Sequence, residues 1–124
     1  GILGKVEQDV TIANNVLMLT PFAADSTEEN VQSFVKAYQD KYGSTPDQFA
    51  ADGYDCIYAY KQALEAAKAT PDMSASDLCD AMIKQFSSMT FDGLTGAGMK
   101  WDKGAVSKEP KGMEIKNGAY VGLD

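Results

Sequence analysis

Carboxylates are the most numerous side chains here that could carry out acid/base chemistry. They cluster at Asp25/Glu28/Glu29, Asp52/Asp55 and Asp77/Asp80. Any cluster could supply a carboxylic acid and a carboxylate of the kind that cleaves glycosidic bonds. Helix placement explains them better. Two clusters fall at expected helix N-termini, where a carboxylate stabilises orphan amides, and the third lies on a helix face. A catalytic carboxylate would also need burial and a partner. The sequence has no histidine. That excludes Ser-His-Asp and Cys-His nucleophilic sites and histidine metal ligands. Gly93-Leu94-Thr95-Gly96-Ala97-Gly98 lacks the lysine of a phosphate loop and does not join a strand to a helix. Asp102 and Glu109 do not have calcium-loop spacing. No catalytic residue, metal ligand set or cofactor is assigned.

Aromatic side chains are the better lead. Phe22 ends an expected strand just before a helix, the edge of an α/β sheet where ligands bind. Phe49 opens a helix after Pro46, so its side chain can project from the helix end. Both are candidate ligand-binding residues. A lone phenylalanine at either place also suits a core, and the two readings stand side by side. Cys56 and Cys79 each fall on the apolar stripe of an expected helix. They read as buried free thiols, or as a disulfide between packed helices, which would suit an extracytoplasmic protein. Their separation is not that of a Cys-x-x-Cys site.

The elements that would position these residues alternate between strand and helix. Val16 to Leu19 is a short apolar run closed by Pro21, which predicts a buried strand of a parallel sheet. A first helix is predicted from Thr27 to Tyr42. Ser26 and Glu29 would form its capping box, and Val31, Phe34, Val35, Tyr38 and Tyr42 share one face. Gly43 is its left-handed stop. A second helix is predicted over 48–69, with Phe49, Gly53, Cys56, Ile57, Tyr60, Leu64 and Ala67 as its inner stripe and Tyr54 and Tyr58 flanking it. Ser74 and Asp77 cap a third helix that carries Ala75, Leu78, Cys79, Met82, Ile83 and Phe86 inward. After the turn-rich Phe91-Asp92-Gly93-Leu94-Thr95-Gly96, Met99 to Gly104 reads as a strand entering a tight turn. Asn117-Gly118 between alternating residues predicts a β-hairpin. Residues 1–15 read as a loop or weak helical turn. The class is α/β with an antiparallel end.

The chain has 124 residues, 44% of them apolar, enough for one core. A formal net charge of −7 leaves no electrostatic footprint for nucleic acid or an anionic membrane. No apolar run approaches the ~20 residues that span a bilayer. Residues 1–15 do not read as a signal peptide.

Four segments carry a resemblance: Leu19-Thr20-Pro21-Phe22-Ala23-Ala24-Asp25; Phe34-Val35-Lys36-Ala37-Tyr38-Gln39-Asp40-Lys41-Tyr42-Gly43; Pro46 with Gln48-Phe49-Ala50-Ala51-Asp52-Gly53-Tyr54-Asp55; and Phe91 to Gly96 with Trp101-Asp102. In this order and spacing they resemble the C-terminal part of the periplasmic binding proteins of ABC transporters, the branched-chain amino acid (Leu/Ile/Val) group. The resemblance implies a fragment of a type I fold, in which two Rossmann-like lobes joined by three crossovers close on an amino acid. The position matching Phe49 would supply an apolar wall of the side-chain pocket. The groups that would hold the ligand's ammonium and carboxylate have no counterpart here.

The resemblance assigns residues 1–45 to a second-lobe segment, 46–105 to a first-lobe segment and 106–124 to a hinge or second-lobe hairpin. It implies an extracytoplasmic location, periplasmic or as a bacterial cell-surface lipoprotein, with an amino acid ligand and an ABC transporter permease as partners of the full-length protein. The alternative is a stand-alone interaction module that has lost ligand binding and pairs with itself. Uncovered apolar faces would favour a homo-oligomer through domain swapping at Gly43-Ser44-Thr45-Pro46.

Overall fold

A computed structural model describes Leu3, Val6 and residues 9–123. Of the expected loop over residues 1–15, residues 1, 2, 4, 5, 7 and 8 lie outside the described residues. Val10–Ala13 forms one 3-10 turn, capped by Asp9. The elements that follow are β1 (Leu17–Thr20), α1 (Glu29–Tyr42), α2 (Gln48–Ala66), α3 (Ala75–Phe86), β2 (Trp101–Asp102), β3 (Ala105–Val106), β4 (Lys111–Lys116) and β5 (Ala119–Gly122). The chain divides into two compact units: residues 1–51 with 109–124, and residues 52–108.

The first unit is built on a three-stranded antiparallel sheet in the order β1-β4-β5. Its hairpin follows from Asn117 and Gly118, whose φ angles of 50° and 78° meet the demand of a two-residue turn for left-handed backbone at both positions. Alternation along β4 sends Met113 and Ile115 inward, at 2% and 0% exposure. Each contributes about 1.5–3 kcal/mol of apolar burial. The expected parallel strand is corrected here. β1 pairs antiparallel with β4, Met18 opposite Met113. It turns Leu17 and Leu19 outward, 68% and 71% exposed. Its partner comes from the C-terminal hairpin, some ninety residues away, so local sequence holds no sign of the pairing.

α1 ends as its composition dictates: Gly43 is left-handed (φ 69°) and its N–H donates to the Gln39 carbonyl, 2.8 Å. Val31 is fully buried, and Phe34 meets the buried Phe22 edge-on, centroids 6.0 Å apart. The capping box does not form. Glu28 is the N-cap without a side-chain bond, and the Ser26 hydroxyl instead accepts from the Glu28 N–H, 3.3 Å, in a turn of its own.

In the second unit, Ala59, Phe91 and Met99 form the core, with Phe86, Met89 and Trp101 packed against them. The Ser74 hydroxyl accepts from the Asp77 N–H (3.1 Å) to cap α3, as its position predicts. Lys103 and Gly104, with φ of 49° and 87°, make the tight turn between β2 and β3. Phe91 and Met99 exchange backbone bonds of 3.0 and 2.9 Å and close the turn-rich loop between them.

The predicted inner stripe of α2 is overturned. The buried residues are Ala51, Asp55, Ala59 and Ala63, at 0%, 5%, 3% and 0% exposure, whereas Phe49 and Ile57 are 73% and 71% exposed. The buried line runs at i, i+4, i+8 and i+12 and consists of three alanines and one carboxylate. Small residues there let backbone approach closely. Asp55 decides the orientation, because its oxygens accept from Leu94 N–H (2.8 Å), Thr95 N–H (2.9 Å) and the Thr95 hydroxyl (2.7 Å). The third helix shows the same pattern: Met82 is buried but Ile83 is 61% exposed. Both cysteines are free and exposed, which replaces the expectation of buried or bridged thiols. Each lies on a helix face that the rest of its unit does not cover.

Candidate functional site

Most of the carboxylates in the three clusters make structural contacts. Asp52 pairs with Lys108 at 2.6 Å, Glu28 with Lys111 at 3.0 Å, and Asp77 accepts a bond from the Ser74 hydroxyl at 2.7 Å. Asp55 is the loop anchor described above. No group of three or more His, Cys, Asp or Glu side chains placed to hold a metal occurs among the described residues. The clearest perturbations of acidity are local. The Thr11 hydroxyl and N–H hold the Asp9 carboxyl below its ordinary range. The hydrogen bond with Tyr58, chiefly, and then burial and neighbouring charge push the Tyr54 phenol up.

Phe49 and Phe22 part company. Phe22, 5% exposed, is held inside the first unit against Phe34. Phe49 stands on the first turn of α2, and its direction follows from the chain around it. Pro46 is buried and breaks the path from α1. Asp47 then caps α2, its Oδ1 accepting from the Ala50 N–H at 3.0 Å. Gln48 and Phe49 follow the cap, the first half-buried and the second 73% exposed.

They meet a groove of about 620 Å³ that lies wholly within the first unit. Met18 and Met113 of the sheet, Val35 of α1 and Tyr120 of β5 give it an apolar lining beside Phe49. Volumes of ~300–1,000 Å³ with a few placed polar groups are typical of small-molecule sites. The polar groups here are anchored. The Asp25 carboxylate accepts from the Gly122 N–H at 3.0 Å, and the Tyr120 hydroxyl accepts from the Leu3 N–H at 3.3 Å. The Thr20 hydroxyl, 6% exposed, lies 2.9 Å from Gln48 Oε1. Among the described residues no lysine lines the groove. Its chemistry is therefore that of an apolar slot with hydrogen-bonding and acidic edges, suited to an uncharged group and unsuited to an isolated anion. Thr20, Asp25, Gln48 and Tyr120 carry no site signal in the sequence. Only the adjacency of Gln48 to Phe49 hints at one of them.

The second unit has an apolar groove of about 670 Å³ between α3, Tyr60 and Trp101. Its lining includes Leu78, Met82, Ile83 and Phe86, and among the described residues no bonded pair of polar side chains faces it. The Ser87 hydroxyl in its lining is spent on the Ile83 carbonyl at 2.8 Å.

Comparison with known proteins bears on both. The profile of a family described as periplasmic binding protein matches residues 7–119. The fold is similar to that of a protein from Rhodospirillum rubrum described as a branched-chain amino acid ABC transporter, at 26% identity and a TM-score of 0.67, over 90% of this chain and 31% of that one. It is similar to an ABC transporter substrate-binding protein from Desulfitobacterium hafniense in complex with Leu, at 22% identity and TM-score 0.74, over 93% and 33% of the two chains. A solute-binding protein of an ABC transporter from R. palustris in complex with benzoate is similar at 18% identity and TM-score 0.72, over 90% and 29%. The chain thus spans about a third of the length of these structures. No curated protein sequence matches it. The architecture, three helices with short strands, is that of a portion of the type I fold.

Proposed function

The chain belongs to the periplasmic binding protein family, and from that premise we propose that it forms part of the extracytoplasmic solute-binding component of an ABC transporter for a branched-chain or other uncharged amino acid. The observation that carries the reading is the groove of the first unit, where Phe49, 73% exposed on the first turn of α2, forms one apolar wall. An aromatic side chain left this exposed beside a slot of small-molecule size gains roughly 1.5–3 kcal/mol when a ligand covers it. The carboxylates of Asp25 and Asp47 at the edge of the groove favour an uncharged ligand side chain over an acidic one.

In this reading residues 1–45 belong to one lobe, 46–105 to the other, and 106–124 to the hinge or the first of these lobes. Support comes from the two compact units, which divide the chain in the same order but change over after residues 51 and 108, so that Gln48 and Phe49 fall in the first unit. The permease of the transporter is the macromolecular partner. The test is calorimetric titration of the two-lobed protein carrying this segment with a panel of uncharged amino acids. Binding of at least one, weakened about tenfold or more by Phe49→Ala, is the expected result. A panel without any binder overturns the proposal.

A second reading, a module that pairs with itself, is favoured by the exposure of Ile57, Tyr60 and Ile83 at 71%, 54% and 61%. Domain swapping at Gly43 to Pro46 is the proposed route. Light scattering decides it, because a single species near 13.3 kDa would mean that the chain does not associate.

A further inference from the structure

Gln48 has an arrangement that the apolar wall does not explain. Its side-chain carbonyl lies 2.9 Å from the hydroxyl of Thr20, a residue that is 6% exposed at the end of β1. That hydroxyl also lies 3.1 Å from the Phe22 carbonyl and accepts from the Phe22 N–H at 3.3 Å. A hydroxyl has one proton, and the shorter contact is to Gln48. With the carbonyl engaged, the amide nitrogen faces the other way. It has no bonding partner among the described residues, and the side chain lines the same groove as Phe49. An amide whose oxygen is tethered from inside the unit is a directed donor.

We propose that Gln48 is a specificity-determining residue of this site, donating a side-chain N–H to an oxygen acceptor on the bound amino acid, and that Thr20 is its positioning residue. The inference rests on the solute-binding reading above. The acceptor belongs either to the ligand's side chain or to its α-carboxylate, and the chemistry required of Gln48 is the same for both. A neutral donor also fits a groove edged by Asp25 and Asp47, because it binds an oxygen without the ion pair that a lysine would form with those carboxylates.

The test uses the two-lobed protein and its Gln48→Met variant, which keeps the length of the side chain and removes the donor. Each is titrated with the near-isosteric pairs threonine/valine and asparagine/leucine. A loss of about tenfold confined to threonine and asparagine assigns the acceptor to the ligand side chain. A similar loss for all four assigns it to the α-carboxylate. Affinities within twofold of wild type for all four overturn the role of Gln48. If wild type binds none of them, and no other uncharged amino acid, the solute-binding reading itself fails. Thr20→Val should shift affinities in the same direction as Gln48→Met, and Thr20→Ser should restore them. The side-chain amide proton resonances of Gln48 should move when ligand is added. Resonances that stay in place while ligand binds would mean that Gln48 serves only the fold.

Discussion

Replacing Asp55 with asparagine should release the loop that α2 holds. The carboxylate is 5% exposed and accepts three bonds: from Leu94 N–H at 2.8 Å on one oxygen, and from Thr95 N–H and hydroxyl at 2.9 and 2.7 Å on the other. Leu94 and Thr95 are themselves buried, at 4% and 0%. Asparagine has nearly the same shape but a single acceptor oxygen. Turned toward Thr95, it keeps two bonds and sets its own NH2 against the Leu94 N–H. One buried donor is then unsatisfied, which costs about 1–3 kcal/mol, and the two remaining bonds lose their ionic character. Turned the other way, it keeps the Leu94 bond and donates its NH2 to the Thr95 hydroxyl, but strands the Thr95 N–H, so either arrangement leaves one buried donor unsatisfied. The combined effect is about 3 kcal/mol. Native-state hydrogen exchange reads it directly. Protection of the Leu94 and Thr95 amides should fall roughly a hundredfold, since ~1.4 kcal/mol is a factor of ten. Urea denaturation of the 52–108 unit should shift to a lower midpoint. An unchanged midpoint together with unchanged Leu94 and Thr95 protection would refute the idea that this carboxylate anchors the loop.

Gly93 tests the same junction from the other side. A Cβ there would lie 2.5 Å from Asp55 Oδ2, so Gly93→Ala should destabilise by about 2 kcal/mol in chemical denaturation, and a neutral result would show that the loop yields freely. Ile57→Asp should leave the melting temperature of this chain nearly unchanged, because the side chain is 71% exposed and surface changes usually stay within ~0.5 kcal/mol. A large loss would show that this face is covered by self-association. Tyr54 and Tyr58 lie with ring centroids 4.5 Å apart. The folded state raises the Tyr54 pKa above its ordinary value of 10.0, so it favours the neutral phenol. The stability this contributes is present below pH 10.0 and is lost as pH rises through the folded pKa. Ultraviolet difference titration should show Tyr54 ionising at lower pH in Tyr58→Phe, and an unmoved titration would discount the bond between them.

Local chemistry was legible in the sequence. The Gly43 stop, the Ser74 cap and the Asn117-Gly118 hairpin each depend on a few adjacent residues, and each forms as their types require. The position of Phe49 just after a proline break could also be read there. Which faces are covered could not. The large side chains of α2 predicted Ile57 and Cys56 inward. The helix instead buries Ala51, Asp55, Ala59 and Ala63, because a carboxylate with three loop donors cannot face water while keeping those bonds. The direction of β1 was likewise undetermined, since its partner β4 lies near the other end of the chain. Thr20, Tyr120 and Asp25 reach Phe49 through that same pairing and the packing of α1. Caps and turns are set by bonds spanning a few residues. Burial and the groove are set by which distant segments compete for the same apolar surface, and only the tertiary structure decides that.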